Sequence, residues 1–402
     1  MSMCAASPDL SASGDEPVIA WLAGCQAAMV ALLRELVSID SGSHNKPGID
    51  AVGAVLRRFL ESHGIAVETI PQRIYGDCLR VIVPARDPAG GKIGGGKILL
   101  LGHRDTVYPD GEAARRPFML SDGIATGPGV ADMKAGLVMN AFLLAAFARN
   151  GGAPGPLVGL FTGDEEVGSP EGRAVIETEA RGARAVFNAE PGRPSGNVVS
   201  RRKGGVFMAL RITGKAAHSG GSFTDGISAI EELARKIVAI HALTDLARGI
   251  TLNVGLVSGG QSVNTVAPWA EGRIDFRYVV AEDRAEILET LRTITARSFV
   301  PGTRATLEIR GEFLPLTQDD EARSLLALYA RSAAASGFTP SGEFSGGCAD
   351  SGFTAALGAP TLCAVGPVGG KAHSPEEFLL VETIVPRAAA CARTILGLGA
   401  TA

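Results

Sequence analysis

Three short apolar runs in this chain each break off at an ionisable residue. Ile98–Gly102 (ILLLG) leads to His103 and Asp105, Leu157–Phe161 (LVGLF) to Glu165 and Glu166, and Ala185–Ala189 (AVFNA) to Glu190. Near-continuous apolar runs of this length, alternating with helical patterns, describe strands buried on both faces, and hence an α/β sheet covered by helices. In open α/β sheets ligands gather beyond the carboxyl ends of the strands. One pattern therefore sets the layer architecture and marks where chemistry collects.

The helical segments between the runs include AVGAVLRRFLESHG, which ends at Gly64, and the buried LVMNAFLLAAFARN; LRVIVP adds another strand. From about Ser200 the order becomes strand (GVFMALRITG), helix, strand, strand, helix, strand (RATLEIRGE). That β-α-β-β-α-β order is a ferredoxin-like unit able to fold by itself. After Leu314 the α/β style resumes and ends in the helical VETIVPRAAACARTILGL. At 402 residues two domains are expected. The predicted division is a discontinuous catalytic domain over 18–199 and 313–402, interrupted by a smaller domain over 200–312. Residues 1–17 read as a frayed terminus.

Composition removes several function classes. A hydrophobic share of 46% and a charged share of 20% fit an ordinary globular protein, and a net charge of −4 gives no reason to expect nucleic acid. Arg201–Lys203 (RRK) reads as a solvated turn. Six scattered cysteines without a Cys-x-x-Cys pair suggest reduced thiols in a cytoplasm. Leu22–Cys25 (LAGC) matches a lipoprotein cleavage box. Asp15 and Glu16 stand where positive charge belongs, however, and cleavage would cut into the amphipathic Met29–Ile39, so a first helix is expected instead. No apolar run reads as long enough to span a membrane.

Gly91–Lys97 (GKIGGGK) nearly fits a phosphate loop, but Ile98 replaces the Ser or Thr and the segment leads into a strand. A glycine-rich hairpin turn is the better reading. There is no Gly-x-Ser-x-Gly elbow to supply a serine nucleophile.

His103, Asp105, Glu165, Glu166, Glu190 and His373, the last in GGKAHSPEE, fall at repeated strand ends, and Asp132 sits in the glycine-rich GPGVADMKAG. Imidazole and carboxylate form the donor set that zinc accepts in catalytic sites. Two Zn²⁺ against Asp132, Glu166, Glu190 and one hydroxide would leave the cluster close to neutral.

The segments GHRDTV, GPGVADMKAG, GDEEVGS, NAEPG and AHSPEE, in this order, resemble the five metal-site motifs of the M20 family of dinuclear zinc peptidases and acyl-amino-acid deacylases. GKAAHSG at Gly214–Gly220 is similar to that family's lid motif. The resemblance runs from about Leu32 to the end and implies a zinc-peptidase-like mixed sheet with an inserted lid and dimerisation domain. It implies two Zn²⁺ per chain, or another divalent ion such as Co²⁺ or Mn²⁺. Asp132 would bridge them, His103 and Glu190 would complete one site, and Glu166 and His373 the other. Glu165 would be the general base, Asp105 would orient His103, and the peptide after Asp132 would be cis. On an extended segment, neighbouring Glu165 and Glu166 would point opposite ways.

His218 by itself reads as a polar turn residue. The resemblance makes it the group that reaches a partner subunit's site and stabilises the oxyanion, with Asn264 assisting, in a homodimer formed through the lid. HRDTVYPDG and GEFSGGCADSGF are most similar to the family's glutamate carboxypeptidases. Val198 and Glu312 depart from that pattern, standing where those enzymes carry a lysine and an arginine. Arg310 and Arg277 are the candidates for holding a substrate carboxylate, with packing or a solvent-facing position equally open for Arg310. The expected substrate is a small N-acyl amino acid or short peptide, with neither nucleic acid nor membrane as partner. An N-acyl-amino-acid deacylase (acetylornithine or succinyl-diaminopimelate type), a metal-free binding relative and a nucleotide binder resting on GKIGGGK are the alternatives.

Overall fold

The computed structural model describes residues 16–86 and 96–400. Most of the expected frayed terminus and of the GKIGGGK loop lies outside the described residues. Glu16 already opens a helix, Glu16–Ala23, whose Val18 and Leu22 pack into the core, followed at the LAGC segment by a second helix, Gln26–Val37. Lys97 leads into the strand Ile98–His103.

Eight strands form one mixed sheet, in the order Val67–Ile70, Cys78–Val83, Leu157–Thr162, Ile98–His103, Ala185–Asn188, Thr361–Cys363, Val198–Arg202 and Gly342–Ser345. The central three run parallel, with His103 paired to Thr162 and Leu101 to Asn188, so their polar continuations leave the sheet side by side. Strand alternation buries both faces. Ile98, Leu100, Leu157 and Phe161 join the main core under the helices Lys46–Ser62, Gly136–Arg149 and Ile384–Ala400. Leu99, Leu101, Val158 and Leu160 join a second core with Ile176 and Phe353 on the other face. Burying each such side chain contributes about 1.5–3 kcal/mol.

The Val130–Arg149 segment corrects the expectation that nothing is apolar enough to span a membrane. It passes by length and composition, but 94% of that window is buried inside the protein as its core helix.

A four-stranded antiparallel sheet runs Thr251–Gly259, Trp269–Tyr278, Gly204–Thr213, Arg304–Phe313, with helices Ala229–His241 and Ala281–Ala296 packed on it around a separate core. The chain order strand-helix-strand-strand-helix-strand with this spatial order is ferredoxin-like. Ser200–Arg202, expected in this inserted unit, belong instead to the large sheet, pairing through Val198–Arg202 with Gly342–Ser345. The RRK segment is therefore not a solvated turn. Arg201 faces solvent while Arg202 turns inward, as strand alternation requires.

Candidate metal centre

Five segments converge beyond the carboxyl ends of the central strands. His103 ends its strand with the side chain buried. Its Nδ1 lies 3.0 Å from the Asp105 carbonyl oxygen, which accepts the Nδ1 proton and leaves the Nε2 lone pair free. Nε2 lies 3.5 Å from Asp132 Oδ1, 3.7 Å from Glu190 Oε1 and 3.9 Å from Glu165 Oε2. On the far side of Asp132, His373 Nε2 lies 3.4 Å from Oδ2 and 3.2 Å from Glu166 Oε2. The two oxygens of one carboxylate thus face two different histidines, each with a glutamate at its other flank.

Asp132 is held by its backbone. The buried carboxylate of Glu377 accepts the N–H groups of Gly129, Ala131 and Asp132 at 3.0, 2.8 and 2.9 Å, and the Tyr108 hydroxyl at 2.8 Å. Gly129 adopts φ +70°, which a glycine permits without cost. The peptide Asp132–Met133 is cis. Four residues further on, a Cβ at Gly136 would sit 2.0 Å from the Ala189 carbonyl oxygen, so only glycine lets this helix start against the strand that carries Glu190.

The Asp105 carboxylate contacts more than His103. Its Oδ1 is 3.4 Å from His103 Nδ1, but its two oxygens also accept the Glu165 and Glu166 N–H groups at 3.1 Å each, and Oδ2 accepts the Ser43 hydroxyl at 2.7 Å. Gathering two successive N–H groups onto one carboxylate requires a tight turn, and Glu165–Val167 is a 3₁₀ turn and not the extended segment expected. The two side chains nevertheless separate, Glu165 toward His103 and Glu166 toward His373.

Packing four acids together has an electrostatic consequence. Burial, and after it the charge of Asp132, pushes Glu166 up to about 7 and Glu190 up to about 8. Burial also drives Glu165 well above the usual carboxylate range. Asp132 goes the other way: burial opposes it, but the facing imidazoles of His103 and His373 hold it below the ordinary value. The same contacts with Asp132 and Glu166 lift His373 to about 10. Such a cluster calls for positive charge.

The donor atoms fit a divalent cation. Ligand atoms of His103, Glu165 and Glu190, and those of His103, Asp132 and Glu166, lie within 4.8 Å of one another in each group. Among the described residues, His103 Nε2 and Glu190 Oε1 are buried without a hydrogen-bond partner, a costly arrangement that a bound ion would resolve. Imidazole nitrogen and carboxylate oxygen suit zinc and need no thiolate.

Asp132, Glu165, Glu166, Glu190 and His373 line a cavity of about 650 Å³ together with Arg202, Arg277, Phe207, Phe313 and Cys348. Of the carboxylate-holding candidates only Arg277 lines it, with its Nε 2.7 Å from Asp275 Oδ1. Arg310 does not: a register shift between Ile309 and Gly311 turns its strand, and its guanidinium pairs with Glu308 at 2.9 Å on the lid surface. Glu312 bridges Arg284 of the lid, at 2.9 Å, and Arg173 of the larger unit, at 3.8 Å. Val198 is fully buried in the core.

His218 and Asn264 sit together on an exposed lid loop, outside this cavity. His218 Nδ1 accepts the N–H groups of Gly220 and Gly221 at 3.1 and 3.0 Å, which places its proton on Nε2. Glu377 and Arg202 went unnoticed in the sequence. A second glutamate in SPEE is the faint signal for the first, and the alternation VVSRR for the second.

Comparison with known proteins places these features in context. The model of peptidase family M20/M25/M40 matches residues 99–397. Carboxypeptidase G2 of Pseudomonas sp. (strain RS-16) is 28% identical over 384 residues, covering 93% of this chain and 90% of that protein. Acetylornithine deacetylase of Proteus mirabilis (strain HI4320) is 27% identical over 382 residues, covering 89% and 93%. Among solved structures, the M20 family metallo-carboxypeptidase Sso-CP2 from Sulfolobus solfataricus has a TM-score of 0.74 at 18% identity, over 92% of this chain and 99% of that one.

Proposed function

We propose that this chain, which belongs to peptidase family M20/M25/M40 and so acts on amide bonds, is a dinuclear zinc amidohydrolase that releases an amino acid from an N-acyl amino acid or short peptide. The observation that carries the reading is Asp132, whose Oδ1 and Oδ2 lie 3.5 and 3.4 Å from the Nε2 atoms of His103 and His373. His103 and Glu190 would hold one ion, Glu166 and His373 the other, and Asp132 both. Bound there, the pair supplies Lewis-acid activation of the amide carbonyl and of water.

The chain's own groups do the rest. Glu165, its carboxylate beside His103 and facing the cavity, takes a proton from the attacking water and returns it to the leaving nitrogen. Its raised affinity for a proton suits it to that exchange. Asp105 keeps His103 and the Glu165–Glu166 turn in register. Arg277 lies on the wall where the substrate's carboxylate end would rest.

The lid supports a homodimer. Thr251–Gly259 is an edge strand with exposed Leu256 and Val257, the kind of edge that recruits a second chain. His218, exposed with a donor Nε2–H and remote from its own cavity, then serves the partner's site by stabilising the oxyanion, with Asn264 beside it. The likeness to an acetylornithine deacetylase keeps a deacylase as second reading. Cysteines scattered without paired spacing support the reading of a cytoplasmic setting.

The test is Glu165→Gln. Turnover of N-acyl amino acids and dipeptides should vanish while zinc stays near two per chain; retained turnover would refute the assignment of the base.

A further inference from the structure

The five proposed ligands are not held alike. The His373 side chain is 54% exposed, against 14% or less for His103, Asp132, Glu166 and Glu190. The ring of His103 is fixed from behind by the Asp105 carbonyl oxygen, 3.0 Å from its Nδ1. Among the described residues nothing hydrogen-bonds to His373 Nδ1, so the aim of this ring depends on its backbone.

That backbone is itself strained. Residues 371–377 connect two short antiparallel strands, Gly369–Gly370 and Phe378–Leu380. Lys371 and His373 both adopt left-handed conformations, with φ of +56° and +63°. Residues other than glycine rarely do so, and they persist there only where the surroundings hold them. Part of the hold is internal. The Ser374 hydroxyl donates to the Lys371 carbonyl at 2.8 Å, and the Ser374 carbonyl accepts the Glu377 N–H at 3.2 Å.

The rest comes from a distant segment, Tyr108–Arg116. Arg116 Nη1 donates to the Pro375 carbonyl at 2.9 Å and lies 3.4 Å from that of Ser374. The guanidinium carbon sits 4.7 Å from the centre of the Tyr108 ring, and the Glu112 carboxylate accepts from Nε. The Tyr108 hydroxyl oxygen is in turn 2.9 Å from the Ser374 carbonyl oxygen. Stacked on one face and paired along one edge, the guanidinium is a rigid fork that meets the two carbonyls just after His373.

We propose that Arg116 is the positioning residue of His373. By holding the Ser374 and Pro375 carbonyls it sets the aim of that imidazole, and with it the affinity of the metal site shared with Glu166, while the site at His103 and Glu190 stands without it. Glu377 acts differently, because Asp132 belongs to both sites and removing Glu377 loosens both. The response of the metal rests on the dinuclear reading proposed above; the hold on the loop does not.

The experiment dialyses zinc-loaded wild type, Arg116→Gln and Arg116→Lys against buffers of graded free zinc and measures zinc content, with Tm recorded on each. Arg116→Gln should lose one of its two ions at a free-zinc concentration about 10–100-fold higher than wild type does, and keep the other as wild type does, with Arg116→Lys between. Anomalous diffraction should place the lost ion at Glu166 and His373. Both ions loosened equally, neither loosened, or the loss placed at His103 and Glu190 would each overturn the proposal. Should Arg116→Gln fail to fold, Arg116→Lys carries the comparison. If wild type holds fewer than two ions, the dinuclear reading fails, and amide hydrogen exchange over residues 370–378 in metal-free wild type and Arg116→Gln decides the positioning role. Faster exchange confined to this loop would sustain it; equal exchange, or faster exchange throughout the chain, would end it.

Discussion

The carboxylate of Glu377 accepts the backbone N–H of Asp132 at 2.9 Å across 245 residues of sequence. With two further N–H groups of the same loop and the Tyr108 hydroxyl on one fully buried carboxylate, Glu377 fixes where Asp132 can point. Partners that orient metal ligands in this way commonly govern affinity as much as the ligands do. Glu377→Gln should weaken zinc binding about 10–100-fold, measured by competition with a chelator, while Tyr108→Phe, which removes one of four donors, should cost less. Equal zinc affinity in Glu377→Gln and wild type would contradict that role.

Asp105→Asn should separate fold from chemistry. The substitution keeps the size of the side chain but replaces one of the two oxygens that accept the Glu165 and Glu166 N–H groups. Turning an NH₂ group toward an N–H donor loosens the turn. The expected outcome is a kcat reduced about 10²-fold or more, with Tm lowered only modestly. Wild-type kcat would show that the turn holds without it.

Without metal, stability should depend on pH in a defined direction. Burial leads in raising Glu166 and Asp350 to about 7 and Glu190 to about 8, and contacts with Asp132 and Glu166 raise His373 to about 10. All four lie above the values of an unfolded chain, about 4 for carboxyls and 6.5 for histidine. The folded metal-free protein therefore holds more protons than the unfolded one across this window, and its stability falls as pH rises. Asp132, held low, acts in the opposite sense, but its window lies below the carboxylate reference value. Thermal melts of chelator-treated protein should show Tm falling between about pH 5 and pH 8, with added zinc reversing the trend at the upper end. A metal-free Tm that rises across this range would contradict the electrostatic picture.

His218→Ala should lower kcat about 10²–10³-fold with zinc content unchanged. If the site is shared across a dimer, mixing this variant with Glu165→Ala should restore part of the activity, because one of the two sites in each heterodimer then has both groups. No recovery in verified heterodimers would place His218 outside the partner's chemistry.

Three of the proposed ligands were legible because each follows a buried strand, whereas Asp132 sits in a glycine-rich loop and His373 in the loop after Gly369–Gly370. His103, Glu166 and Glu190 need only the parallel pairing of Ile98–His103 with its two neighbours to converge. The lid was legible from the order of its strands and helices. What stayed hidden depends on long-range hydrogen bonding and strand alternation. Glu377 looks like one more charge in SPEE, and nothing local says that it faces the amides of a distant loop. The turn at Glu165–Glu166 looks extended until Asp105 is seen to accept both N–H groups. Arg202 looks like a surface cation in RRK because the strand that buries it pairs with Gly342–Ser345, far along the chain. Arg310 misleads in the opposite way, since an irregular register moves it off the face that period two assigns it.

The central claim is a pair of divalent ions held on either side of Asp132. Anomalous diffraction at the zinc edge from crystals grown with the metal tests it most directly. The account predicts two peaks, one shared by His103, Asp132 and Glu190 and the other by Asp132, Glu166 and His373. Density lacking both peaks at this cluster, or zinc bound elsewhere with the cluster unoccupied, would contradict it.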